Sequence, residues 1–215
     1  MVDRFPLSSE FAAAMARLGP FEPAPRLAAG VSGGADSMAL ALLAAAWARE
    51  RGGSLLALIV DHGLRPEAAA EAGQAAARLQ SHGIPARVLQ IAGLARGNAM
   101  AERARDARFK VLMETCAADG ILHLLLAHHA ADQAETVLIR ELGGSGPAGL
   151  AGMSALLETP RLRILRPLLN VPPNRLRALL ELAGVGWSED PSNRDTTALR
   201  PRLRMLRHDR EGGER

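Results

Sequence analysis

The chain is short of cysteine, lysine and aromatic residues, and each shortage removes a class of chemistry. Cys116 is the only cysteine, which rules out an intramolecular disulfide, a cysteine-based zinc cluster and a two-cysteine persulfide relay. Lys110 is the one lysine among 26 basic residues and follows Phe109 with no glycine-rich run before it, so there is no Walker-type phosphate loop. Tyrosine is absent, and two tryptophans and four phenylalanines are too few for a platform on which several bases stack. No stretch reaches about 18 uninterrupted apolar residues, and Met1-Val2-Asp3-Arg4 lacks the basic-then-apolar layout of a secretory signal. The expectation is a soluble, cytoplasmic protein with no membrane association.

What remains is an ordinary globular composition with one bias. The 215 residues are 48% hydrophobic and 23% charged, enough to bury a core in one large domain, or in a domain with a short appendage. Net charge is only +3, but the positive charge is almost all arginine, the side chain suited to bidentate phosphate contacts.

Leu7, Phe11, Met15 and Leu18 recur at helical spacing and predict an amphipathic helix before the stretch Pro20 to Pro25. Short apolar runs follow at Leu27 to Val31, Leu55 to Val60, Val88 to Ile91 and Leu122 to Ala127, with a weaker one at Leu162 to Leu165. Alanine-rich helical segments lie between and after them, at Ser37 to Arg51, Glu67 to His82, Ala99 to Ala118 and Asp132 to Leu142, and another at Pro172 to Ala183. This alternation predicts an α/β fold, doubly wound, with a mostly parallel five-stranded sheet and a helical, arginine-rich C-terminal appendage. In such sheets ligands sit at the carboxyl ends of the strands.

The first run ends in Ser32-Gly33-Gly34-Ala35-Asp36-Ser37, immediately before a helix. Adjacent glycines turn the backbone so that successive amides point inward, and the helix N-terminus adds partial positive charge: an anion cradle suited to phosphate. Asp36 facing an anion calls for a cation between them, which points to Mg²⁺. Arg105 and Arg108, three apart on a helix, share a face and can grip phosphate, or else pair with Glu102 or Asp106. Asp132 and Glu135 also share a helical face, where early acids stabilise a helix N-terminus. His128 and His129, being adjacent, point to opposite faces of an extended chain.

Ser-Gly-Gly-x-Asp-Ser resembles the PP-loop of the N-type ATP pyrophosphatases, which cleave ATP between its α and β phosphates. Three segments narrow the resemblance: Val60-Asp61-His62-Gly63-Leu64-Arg65, the run His128-His129-Ala130-Ala131-Asp132-Gln133-Ala134-Glu135-Thr136, and Gly144-Ser145-Gly146-Pro147-Ala148-Gly149. With Ala104-Arg105-Asp106-Ala107-Arg108-Phe109, Arg166-Pro167-Leu168-Leu169 and Trp187-Ser188-Glu189-Asp190-Pro191-Ser192-Asn193, the chain is similar to the tRNA(Ile)-lysidine synthetases from about residue 26 to 204.

That resemblance implies a ligase. It adenylates the C2 oxygen of the wobble cytidine of tRNA(Ile) with ATP and Mg²⁺, and free lysine then displaces AMP. It implies that Ser32, Gly33, Gly34, Ala35, Asp36 and Ser37 bind ATP, with Asp36 at the ion, and that Asp61 and His62 lie beside the adenosine or simply end their strand. It further implies lysine binding by Asp132 and Glu135, catalytic roles for Asp36, Arg108 and Asp132, and tRNA or phosphate contacts from Arg105, Arg200, Arg202 and Arg204. Ala131 stands where many members carry an additional acid. The division expected is an N-terminal helix and linker over 1–25, the ATP-binding catalytic domain over 26–170, and a helix with a basic tail over 171–215. A homodimer is an open assembly. Two alternatives stay open: another PP-loop tRNA-modifying enzyme or ligase, and a nucleotide or tRNA binder that has lost catalysis.

Overall fold

The structure, a computed structural model, describes residues 7–63, 67–91 and 100–188. The first helical period forms α1 (Ser8–Arg17), which buries Phe11 and Met15. Strands and helices then alternate as β1 (Arg26–Val31), α2 (Ala35–Glu50), β2 (Ser54–Asp61), α3 (Ala68–Ser81), β3 (Ala86–Gln90), α4 (Met100–Ala118), β4 (His123–Leu126) and α5 (Ala130–Leu142). The short α6 (Pro147–Leu150), β5 (Leu156–Glu158), β6 (Arg163–Leu165) and α7 (Pro173–Ala183) follow.

One sheet carries six strands in the order β3-β2-β1-β4-β6-β5, one more than the five expected. The addition is β5, three residues paired antiparallel to β6 at the sheet edge. Leu156-Leu157-Glu158 is too short to show a period of two, so pairing with β6 rather than local pattern makes it a strand. The other pairings are parallel. From β1 the chain winds outward through β2 to β3, then returns to lay β4 on the other flank of β1. The loops after β1 and β4 therefore border the switch-point crevice, where open α/β sheets take their ligands.

Two cores flank the sheet. Residues of α1, α2, α3 and α7 pack on one face, whereas Leu112 and Cys116 of α4 join Ala28, Leu58, Leu124 and Ile164 on the other. Helix α2 is apolar nearly all round, from Met38 to Ala48, because it is enclosed by the sheet on one side and by α7 and α1 on the other. Residues 19–25 are stitched to the sheet. The Arg163 guanidinium donates to the carbonyls of Leu18 (2.6 Å) and Pro20 (2.8 Å), and buried His123 meets Glu22 at 2.7 Å. Phe21 packs edge-on to Trp47, and α1 is tied to α7 by a two-pronged Arg175–Glu10 pair. Among the described residues no helix is long and apolar enough to cross a membrane.

The turn from α2 into β2 has no room for a side chain at Gly53. A methyl group there would overlap the Pro25 carbonyl oxygen and lie 2.7 Å from the Pro25 nitrogen, where the Ser54 amide already donates to Pro25. Gly53→Ala should therefore lower the free energy of unfolding by about 1–3 kcal/mol, the usual cost of overpacking, read as a drop in the urea midpoint.

Candidate active site

The loop after β1 is fixed by two hydroxyls. Ser37 donates to the Gly34 carbonyl (2.9 Å) and accepts from the Ser32 amide (3.1 Å). Its single proton is thus committed, so in the 3.2 Å contact between the two hydroxyls Ser32 is the donor. Gly33 adopts φ +86°, and a Cβ there would crowd Ala75 at 3.3 Å, so both backbone and space call for glycine. The Gly33 carbonyl is held by the Ser188 amide, and Arg78 in turn holds the Ser188 hydroxyl at 3.2 Å. With its shape set, the loop leads straight into α2, whose first amides have no partner within the helix and face outward beside Asp36.

Across the crevice, β4 runs into α5 through His128 and His129, and the two imidazoles diverge as adjacent residues should. His129 is the N-cap of α5: its Nδ1 accepts from the Asp132 amide at 3.4 Å, while the Asp132 carboxylate accepts from the His129 amide at 3.0 Å. Because Nδ1 is an acceptor, the neutral ring carries its proton on Nε2, and Nε2 lies 3.4 Å from Asp36 Oδ2. One imidazole thus joins the first turn of α2 to the first turn of α5. Glu135, one turn further on, is buried, and the Thr136 hydroxyl donates to the Asp132 carbonyl.

His128 turns toward Arg166, whose Nε donates to His128 Nδ1 at 3.3 Å and whose Nη1 donates to the Ser154 carbonyl at 2.7 Å. Burial drives the His128 imidazole down to about 4. Asp132 pulls it upward, while Arg166, Arg105 and Arg108 push the same way as burial. The charges of Arg105 and Arg108, both on α4, thus act on the residue that follows β4. Arg108 also reaches His62 at the end of β2, where burial and then Arg108 lower that imidazole against an opposing effect of Asp61. Neither Arg105 nor Arg108 forms an ion pair with Glu102 or Asp106; Arg108 is half-buried, whereas Arg105 stands on the exposed face.

Asp61 is buried, and its Oδ1 accepts from the Gly63 amide at 2.9 Å, closing a turn in which Gly63 has φ +61°. Its carboxylate holds the strand end in shape, and the neighbouring His62 has a buried Nδ1 without a hydrogen-bond partner among the described residues. The Gly-rich segment is clasped to α5. Gln133 exchanges two hydrogen bonds with the Met153 backbone (2.7 and 3.0 Å), and Arg140 donates to the carbonyls of Gly149 and Gly152. Arg200, Arg202 and Arg204 lie outside the described residues.

Sequence reasoning missed His129 and Arg166. The signal for His129 was present, since a capping box places the cap three residues before an acid, and His129-x-x-Asp132 has that spacing. Nothing local marks Arg166, which acquires its neighbours only through sheet order.

A single carboxylate with one face open, next to outward-facing amides, suits a hard cation shared with phosphate oxygens. Asp36 meets this requirement with a side chain 36% exposed. His128 makes a separate prediction. With its folded pKa near 4, below the ordinary 6.5, the unfolded chain takes up the proton first, so stability is full above pH 6.5 and falls as pH drops toward 4. His128→Asn, which keeps an acceptor for Arg166 but does not titrate, should flatten that acid limb in urea unfolding followed against pH.

The PP-loop domain model matches residues 7–208. The tRNA(Ile)-lysidine synthase of Bradyrhizobium diazoefficiens is 46% identical over 185 residues, covering 85% of this chain and 51% of that protein. The enzyme of the same name from Rhodopseudomonas palustris is 45% identical over 188 residues, covering 86% and 54%. The chain spans about half the length of the curated relatives it matches. Among solved structures, a U34-tRNA thiolase from Methanococcus maripaludis superposes with a TM-score of 0.70, covering 94% of this chain and 78% of that one at 18% identity, a likeness of fold alone. The glycine turn after β1, set at a switch-point crevice, and a family match over nearly the whole length lead to one conclusion: the chain belongs to the PP-loop domain family.

Proposed function

We propose that this chain joins free lysine to C2 of the wobble cytidine, position 34, of a tRNA(Ile) with a CAU anticodon, converting ATP to AMP and pyrophosphate. The observation that carries the reading is the His129 bridge. It sets the carboxylate beside the anion cradle and a second carboxylate, Asp132, on either side of one imidazole. A two-step reaction needs just such a pairing, because one end must control phosphate charge and the other must handle an amine.

In the first step the cytidine C2 oxygen attacks the α-phosphorus of ATP, and the bond to the β-phosphate oxygen breaks. Ser32 to Ser37 bind the departing pyrophosphate through outward amides and the helix N-terminus. Asp36 would hold Mg²⁺, which when bound offsets the charge of the phosphates. Asp61 shapes the turn beside the adenosine, and His62, kept neutral by burial and Arg108, offers a ring nitrogen to it. Arg108 faces the α-phosphate as negative charge builds on it.

In the second step the lysine ε-amine attacks C2 and AMP leaves with the bonding electrons. Free lysine is protonated at neutral pH, so a base must take the proton. Asp132 is that base, with Glu135 behind it completing the acidic lysine pocket, and its position is set by the capping exchange with His129. Arg105, Arg200, Arg202 and Arg204 contact tRNA phosphate. A thiolation reading is disfavoured, because Cys116 is the only cysteine, is buried in the core between α4 and the sheet, and has its thiol pushed up to about 12 by burial and Asp119.

Two experiments test this. The purified chain with ATP, Mg²⁺ and the tRNA, offered each of the twenty amino acids in turn, should yield a heavier wobble nucleoside with lysine alone. A longer relative that modifies the same tRNA while this chain leaves it unchanged would defeat the proposal. Asp132→Asn should retain tRNA-dependent pyrophosphate release yet slow lysine transfer by about 10²–10⁴-fold, the usual worth of a general base; equal loss of both steps would remove Asp132 from that role.

A further inference from the structure

Several arginines among the described residues are neutralised by acids. Arg87, Arg163 and Arg175 have carboxylate partners, at 2.8 Å from Asp119, 3.4 Å from Glu158 and 2.7 Å from Glu10. Arg105, Arg108 and Arg166 have none among the described residues, yet they converge on His128. Burial and Arg105 lower the Arg108 guanidinium, and the same two causes lower that of Arg166. Like charges are thus gathered without a counterion, which is costly unless an anion completes the set. The histidines that face them, His62 and His128, are both held toward the neutral form and relieve none of the need. Of the acids that face the group, Asp61 is engaged by the Gly63 amide and Asp132 caps α5.

We propose that Arg105 and Arg166 line a phosphodiester channel for the RNA strand beside the target base, which meets the nucleotide at Arg108 and is distinct from the loop after β1 that takes the pyrophosphate end. The inference rests on the tRNA reading above and adds to it Arg166 and a path. Depth is graded along that path. Arg105 is exposed with its guanidinium 5.8 Å from the Phe109 ring, Arg108 is half-buried, and Arg166 is 9% exposed and anchored to Ser154 and His128. An isolated nucleotide phosphate needs only one end of such a series, whereas a chain of phosphates entering from solvent uses all of it. The placement agrees: α4 packs on the sheet face opposite α2, so the channel and the triphosphate loop approach the crevice from opposite sides. Arginine forks suit phosphodiesters, and such contacts position a strand without reading its bases. That fits a chain with too few aromatics to hold RNA by stacking.

The test is the salt dependence of binding, measured by fluorescence anisotropy of a CAU anticodon stem-loop RNA, beside titrations with AMP and a non-hydrolysable ATP analogue. Arg105→Gln and Arg166→Gln should each weaken RNA binding about threefold at moderate salt and reduce the slope of log K against log salt by about 0.7–0.9, one phosphate contact each. Affinity for both nucleotides should stay unchanged. Arg105 is exposed, so its variant tests the channel even if Arg166→Gln fails to fold, and Arg166→Lys should keep the slope while losing affinity with the fork. An unaltered slope in Arg105→Gln overturns the proposal, as does weaker AMP binding with RNA binding intact, which would assign the cluster to the nucleotide. RNA binding that follows these slopes in a chain that makes no modified base would defeat the activity proposed above and leave the channel standing.

Discussion

The contact between His129 and Asp36 is the constraint on which the site depends. Helices α2 and α5 begin at the ends of neighbouring strands, but strand pairing alone fixes only their origins, and an origin does not set a carboxylate to within an ångström. The imidazole supplies the missing restraint. Its Nδ1 is taken by the Asp132 amide, and its Nε2 lies 3.4 Å from Asp36, so the orientation of the ring follows from the cap of α5. A residue that caps one helix and lies against the acid of another cannot shift without moving both.

Charge is distributed with equal economy. Arginines with a structural task are either paired with acids, as Arg175 is with Glu10, or spread over backbone carbonyls, as Arg163 is over Leu18 and Pro20. Arg105, Arg108 and Arg166 have no acid paired with them among the described residues, and burial holds His62 and His128 beside them toward the neutral form. The result is a local cluster of positive charge in a chain whose net charge is only +3, so the field seen by an anion there owes little to overall composition.

The fold was largely legible because its signals are periodic. Leu27 to Val31 and Leu55 to Val60 read as buried strands, and Ser37 to Arg51 reads as a helix, since a doubly covered parallel sheet imprints continuous apolar runs on the chain. Leu156 to Glu158 carries no such imprint, because an edge strand of three residues is made by its neighbour. In the site, the glycine turn was legible because φ +86° at Gly33 restricts the residue type. Asp61 was half-legible: its turn-closing bond to Gly63 is local, and local bonds leave a spacing. Arg166 was not legible, since its partners His128 and Ser154 are 38 and 12 residues away and meet it only because β6 lies beside β4.

The glycine-rich segment shows how a motif can serve a site through its own hydrogen bonds. By composition it looks like another phosphate cradle, but its groups are already engaged: Arg140 takes the carbonyls of Gly149 and Gly152, and Gln133 takes both backbone groups of Met153. A Cβ at Gly152 would stand 2.8 Å from the Gln133 amide oxygen, and its φ of +76° is already unfavourable to other residues, so the glycine is needed for the clasp. The clasp continues, because Met153 leads to Ser154, Ser154 holds Arg166, and Arg166 holds His128, the neighbour of the residue that caps α5. The hydrogen bonds therefore close a ring from α5 through the loop and back to the start of α5. A ring of this kind resists the splaying of α5 from the sheet that would separate Asp132 from Asp36, and this gives the loop a physical reason to be built from glycine.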